Sequence, residues 1–239
     1  MTNSQAKIPV PPRVGENVLQ LKDNEIEPVF LIDQNQLDYA KIYRNREEYI
    51  KTLPQKIKYL EAGVAWGYYS ELVAEATNPE LVHLVDFFRS DSRCWSWRDL
   101  GECKCYPVKH ELVFTPTTHE KYIKDKFKNY NAEIFKGDAR TILPTLTTKY
   151  DYIYLDTLND RLSIRPLLYS AADLVDVGSI IGLNDYVLYD GVIGDCQYFT
   201  SNVVNEFLKD NKNWCVDGLA LHQLGFYDIY IKKIGESNG

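Results

Sequence analysis

The sequence predicts an α/β domain on a mostly parallel sheet, and three features predict it. Residues 57–88, IKYLEAGVAWGYYSELVAEATNPELVHLVDFF, run as an apolar strand, a glycine turn, a helical stretch and a second apolar strand. Further short apolar runs at 132–136, 150–156 and 176–187 alternate with helix-length segments and end in a carboxylate or an amide. The chain closes with two apolar runs, WCVDGLALHQLGFYDIYIKK, joined through Leu224 and Gly225 as a hairpin.

In the first unit, Gly63 follows the strand ending at Glu61 and Ala62, and Gly67 precedes the helix. A turn straight from strand to helix needs a residue without Cβ where the backbone meets a neighbour or a ligand. The uncapped N–H groups and positive dipole end of the helix, with Ser70 in its first turn, would face the crevice above the sheet. Parallel pairing puts Glu61 and Asp86 on the carboxyl edge, where open α/β sheets bind ligands. An acid ending the second strand, with Phe87 beside it, suits a ribose diol.

These residues carry a family resemblance. E-x-G-x-x-x-G at Glu61, Gly63 and Gly67, with Asp86 after the next strand, resembles the first motif and ribose acid of class I S-adenosylmethionine-dependent methyltransferases. A dinucleotide fingerprint is missing, since Ala65 takes the place of a middle glycine, and so is a phosphate-cradling G-K-[ST]. The resemblance, nearest to bacterial small-molecule O-methyltransferases, implies a Rossmann-like doubly wound sheet of seven strands, mostly parallel, with an antiparallel terminal hairpin strand. It also implies S-adenosylmethionine held by Glu61, Ala62, Gly63, Gly67, Ser70, Asp86, Phe87, Asp138, Ala139 and Asp156, with Asp138 and Ala139 at the adenine.

Along the chain, residues 1–52 are expected as an N-terminal arm and helical cap, with QLDYAKIYRNREEYIKTL helical. Residues 53–239 are expected as the α/β domain, interrupted by an aromatic-rich insertion at about 88–115. THEKYIKDKFKN reads as an amphipathic helix. LSIRPLLYSAADLV is expected as a helix with Pro166 in its first turn. The Asp-Val-Gly at 176–178 is expected as a turn.

A second cluster of acids follows. Asp156 ends one strand, and Asn184 with Asp185 ends the next, so their oxygens would converge. Three hard oxygen ligands suit Mg²⁺ or Ca²⁺. The pattern resembles metal-dependent O-methyltransferases, which implies Asp156, Asn184 and Asp185 as metal ligands and Asp156 as the catalytic residue. The order Asn-Asp and the absence of a lysine or histidine in LDTLNDR depart from those enzymes. The alternative has Asp156 positioning cofactor or substrate while Asn184 and Asp185 cap a turn.

Composition limits the partners. A formal charge of −7 and a pI near 5.2 oppose a general nucleic-acid or anionic-membrane binder. No run of about eighteen apolar residues suggests a membrane span. Five cysteines without a regular framework fit reduced thiols in a cytoplasm, and the Cys103–Cys105 spacing is too short for an ordinary zinc pair. The expected function is methylation of a small molecule, with oxygen as acceptor and a divalent metal assisting. A homodimer is allowed. The alternative is a non-catalytic S-adenosylmethionine-binding or regulatory protein.

Overall fold

The computed structural model describes residues 30–88, 116–187, 191–193, 196–222 and 225–236. The expected arm at 1–24 and the insertion beyond Phe88 lie outside the described residues.

In chain order the elements are β1 (Lys41–Tyr43), α1 (Arg46–Ile50), β2 (Lys58–Ala62), α2 (Tyr68–Thr77), β3 (Leu81–Asp86), α3 (Pro116–Lys126), β4 (Ala132–Lys136) and α4 (Ala139–Ile142). Then follow β5 (Tyr150–Leu155), α5 (Arg161–Asp173), β6 (Val175–Tyr186), the small pair β7 (Gly191–Ile193) and β8 (Cys196–Tyr198), α6 (Thr200–Asp210), β9 (Trp214–Ala220) and β10 (Tyr227–Lys233). The main sheet has eight strands in the order β1-β9-β10-β6-β5-β2-β3-β4. All pairings are parallel except those of β10, which is antiparallel to both β6 and β9. The strand order reverses between β2 and β5, so the crevice of a doubly wound sheet opens at their carboxyl ends.

The eighth strand is β1, in the segment expected as one helix. Asn45 explains the break: its extended backbone and side chain cap α1, accepting from the Glu48 N–H at 3.0 Å, so the helix cannot begin earlier. Residues 41–43 pair instead with Gly218–Ala220 of β9. Gly218 leaves room for the Tyr43 ring, which would lie 2.8 Å from a Cβ there. Two further expectations change. Pro166 sits within α5, whose N-cap Asp160 accepts from the Ser163 N–H at 3.1 Å, rather than in its first turn. Residues 176–178 belong to β6, where the register jumps between Tyr150↔Val175 and Tyr152↔Ile180 and Gly178 takes φ +96°.

The two faces of the sheet differ, and strand alternation is the reason. One face carries Leu60, Ile153, Leu155, Ile181, Leu183, Ile229 and Ile231 in an aliphatic core shared with α5 and α6. The other carries Tyr59, Tyr152, Tyr154 and Tyr230, joined by Tyr49 of α1 and Tyr69 of α2, all six buried. Tyr49 stacks on Tyr230, Tyr69 stacks on Tyr154, and the Tyr69 and Tyr152 hydroxyls meet at 2.5 Å. Gly182 makes this layer possible, because a Cβ there would lie 2.7–3.0 Å from Tyr152, Tyr154 and Tyr230.

Gly63 is the most closely packed of the described glycines. Its φ is +90°, and an added Cβ would lie 1.7 Å from the main-chain oxygen of Asp156. Backbone cannot yield there as a side chain can. Gly63→Ala is therefore expected to destabilise the chain by at least about 3 kcal/mol in urea unfolding. Gly225→Ala, at φ +80° with no atom of the described residues within 4 Å of an added Cβ, should cost only about 1 kcal/mol.

Candidate functional site

The alternation that lines one face with tyrosines also places a polar rim two residues further toward the crevice. Tyr59 leads to Glu61, Tyr154 to Asp156, Gly182 to Asn184 and, in the reversed strand, Tyr230 back to Asp228. All four polar residues therefore share the tyrosine face near one end of the sheet.

Glu61 does not reach the open edge. It is 1% exposed, and its Oε2 accepts hydrogen bonds from the Tyr59 hydroxyl at 2.7 Å and from the Ser70 hydroxyl. Burial pushes its carboxyl up to about 8, against the lowering effect of those two hydroxyls. Ser70 is fully buried in the same contact. Glu61 and Ser70, expected at the cofactor, here join α2 to β2 through this contact. Ala62 is also buried.

Asp86 stands on the rim and shapes it. Its Oδ2 accepts from the main-chain N–H groups of Val64 at 2.8 Å and Ala65 at 3.0 Å, and its Oδ1 from that of Phe88 at 2.8 Å. A carboxylate has about four acceptor sites, so one remains for a ligand hydroxyl while the loop holds this form. Ala65 and Phe88 adopt φ +44° and +49°, and strain of this kind in non-glycine residues concentrates where function needs a fixed loop. His119 of α3 supports the loop from outside, its Nε2 lying 2.6 Å from the Ala65 carbonyl. Gly67, at φ +66°, caps α2 beneath Ile123 of α3 and Phe127 just beyond that helix. Phe87 is 41% exposed beside Asp86. Asp138 caps α4 and forms a bidentate pair with Arg140, which holds its carboxyl below the usual range; Ala139 behind it is buried.

Across the crevice, Asp156, Asn184 and Asp185 do come together, with Arg46, Asn159, Asp228 and Tyr230, which sequence reasoning missed. Arg46 donates from one nitrogen to Asn184 Oδ1 at 3.0 Å and to Asp228 Oδ1 at 2.9 Å. Asn184 Nδ2 donates to Asp156 Oδ1 at 2.8 Å, and Asn159 Nδ2 donates to Asp185 Oδ2 at 2.7 Å. Asp185 has φ +55°. The Tyr230 hydroxyl donates to Asp228 Oδ2 at 3.2 Å.

This arrangement does not fit the expected metal at Asp156, Asn184 and Asp185. The Asn184 carbonyl oxygen already accepts from a guanidinium and its NH₂ faces a carboxylate, so the amide oxygen sits against a positive charge that a cation would have to approach. Turning the amide over would set NH₂ against guanidinium and oxygen against carboxylate. Arg46 already brings positive charge into the cluster. Among the described residues no group of three His, Cys, Asp or Glu side chains is placed to hold an ion.

Burial dominates the electrostatics. It raises Asp156 to about 7, with the charge of Asp185 adding to the effect, and raises Asp185 to about 6. Asp228, 2% exposed, is also raised, because desolvation outweighs the attraction of Arg46. The sequence signal for this layer was the alternation of tyrosines at 59, 152, 154 and 230. Nothing local marked Arg46, which lies 182 positions from Asp228.

No protein-family model matches the chain, and no curated protein sequence matches it. Solved structures do. The O-methyltransferase TomG from Streptomyces achromogenes, involved in tomaymycin synthesis and solved with SAM, is 17% identical over 80% of each chain, with a TM-score of 0.55. A candidate rRNA methylase from Clostridium thermocellum is 18% identical, covering 80% of this chain and 95% of that one, with a TM-score of 0.54. A ribosomal protein L11 methylase from Lactobacillus delbrueckii subsp. bulgaricus is 9% identical, covering 79% and 77%, with a TM-score of 0.51. The chain has the Rossmann-like fold of these structures.

The ion pair of Arg46, with a side chain 17% exposed, and Asp228 yields a test. Arg46→Ala leaves a buried carboxylate without its partner and is expected to cost about 3 kcal/mol or more in urea unfolding at neutral pH. Adding Asp228→Asn should recover at least half of that loss, since the second change removes the stranded charge.

Proposed function

We infer that the chain is an S-adenosylmethionine-dependent methyltransferase acting on a small molecule. One observation carries the reading: the glycine turn after β2 and the Asp86 carboxylate that gathers it stand at the sheet's switch point, facing Asp156 across the crevice. The likeness of fold to methyltransferases, one of them solved with SAM, supports it. The cofactor's adenosine lies over the loop, with Asp86 at the ribose and Asp138 near the adenine. The methyl group points toward Asp156.

The sulfonium is activated before it binds, so the protein supplies alignment and exclusion of water. Proximity of this kind is worth several kcal/mol of the barrier, of order 7 in well-oriented cases. Asp156 accepts the proton that the acceptor loses, a role suited to a carboxyl raised to about 7. A charge of −7 favours a small acceptor over a polyanion. Oxygen as acceptor was expected together with a bound ion, and the misfit of the ion removes that support.

A second reading, cofactor binding without turnover, is favoured by the engagement of Asp86 and Asp138 with their own chain. Calorimetry with S-adenosylhomocysteine tests the cofactor site common to both. Asp86→Ala should weaken binding by roughly 1.5–3 kcal/mol, about tenfold to a hundredfold. Unchanged affinity removes the ribose role, and no binding to the unaltered chain removes both readings.

A further inference from the structure

We propose that His119 is a positioning residue for the cofactor, holding in place both segments whose N–H groups fix the two oxygens of the Asp86 carboxylate; this rests on the methyl-transfer reading above. The Asp86 Oδ2 accepts from Val64 and Ala65, and its Oδ1 accepts from Phe88. His119 meets each side of that grip. Its Nε2 lies 2.6 Å from the Ala65 carbonyl, and its ring stands T-shaped to Phe88 with the centroids 5.6 Å apart. The Trp66 ring lies 4.9 Å from it.

Ala65 is thereby held through both of its main-chain polar groups: the N–H serves Asp86 and the carbonyl serves His119. A carbonyl only accepts, so Nε2 carries the proton of this bond. Ala65 and Phe88 have φ of +44° and +49°, a conformation that residues other than glycine keep only where their surroundings enforce it. Ala65 is exposed, so the packing of its methyl cannot supply that enforcement. The hydrogen bonds to Asp86 and His119 do.

The helix that carries His119 is itself fastened on both sides of the loop. His119 is 4% exposed. Its neighbour Glu120 accepts from Lys136 Nζ at 3.0 Å, and Lys136 of β4 pairs in register with Asp86 of β3. One turn past Tyr122, Lys126 pairs with Glu71 of α2 at 2.6 Å and reaches the Trp66 carbonyl at 3.4 Å. His119 thus passes the rigidity of α3 to the acid that receives the ribose.

The contact acts on affinity through pre-organisation. Without the bond to its carbonyl, Ala65 relaxes into conformations bonded to water, and Asp86 loses N–H partners with it. A cofactor then binds only the fraction of molecules whose loop is set, and its apparent affinity falls by that fraction.

Two measurements on the full chain test the proposal. Calorimetry with S-adenosylhomocysteine compares His119→Gln, His119→Asn and His119→Leu with the unaltered chain, and amide hydrogen exchange at Val64 and Ala65 follows the loop without cofactor. A glutamine amide extends to where Nε2 stands, whereas an asparagine amide stops at the level of Nδ1 and leucine offers no donor. His119→Gln is expected to bind within about twofold of the unaltered chain, and His119→Asn and His119→Leu about threefold to tenfold more weakly, the size of one hydrogen bond. Exchange at both amides should quicken by a like factor in His119→Asn and His119→Leu and stay unchanged in His119→Gln. If His119→Leu does not fold, the contrast of His119→Gln with His119→Asn carries the same test. Equal affinity in those two variants, whether high or low, overturns the proposal, as does weakened binding with unaltered exchange. Faster exchange in His119→Asn, with no S-adenosylhomocysteine binding by the unaltered chain, leaves His119 as the support of the loop and removes the methyl-transfer reading.

Discussion

The polar end of this sheet depends on one guanidinium. Arg46 reaches from α1 into a cluster of three partly or fully buried carboxylates and holds Asp228 and Asn184 with one nitrogen. Without that charge, burial would protonate the acids or separate them. With it, Asn184 is fixed in the one orientation that satisfies both Arg46 and Asp156. The side chain that brings positive charge into the cluster is therefore also the one that orders it.

Topology explains why this cluster faces the glycine turn. The strand order reverses between β2 and β5, and the two strands are drawn together where the missing Cβ of Gly63 admits the Asp156 carbonyl. Asp86 gathers the loop on one side of the reversal, and Asp156 begins the acidic cluster on the other. Glu61 lies beneath, locked to Tyr59 and Ser70, and ties α2 to the sheet. A cofactor bound on the loop and an acceptor bound at the cluster would meet over the same gap.

Much of this was legible in the sequence. The strand–turn–helix–strand unit, the positions of Asp86, Asp156 and Asn184–Asp185 at strand ends, and the closing hairpin all follow from local pattern and glycine placement. Four things were not. Residues 41–43 became a strand because the Asn45 cap forbids an earlier helix and β9 offers an edge. The role of Gly63 in admitting a neighbouring strand looks identical, in sequence, to one of admitting a ligand. The direction of Glu61 depends on Ser70, whose hydroxyl draws it into the layer below the rim. Long-range pairings such as Arg46 with Asp228 leave no local trace, and they decide whether an acid cluster takes a metal or a guanidinium.

The central claim is that one crevice, bounded by the Gly63–Gly67 loop and the Asp156 cluster, holds the cofactor with its reactive carbon toward the acids. A crystal structure of the full chain with S-adenosylhomocysteine tests it most directly. The account predicts a ribose hydroxyl on Asp86 and the sulfur facing Asp156. A ligand seated elsewhere on the sheet, or one whose sulfur faces away from Asp156, would contradict it.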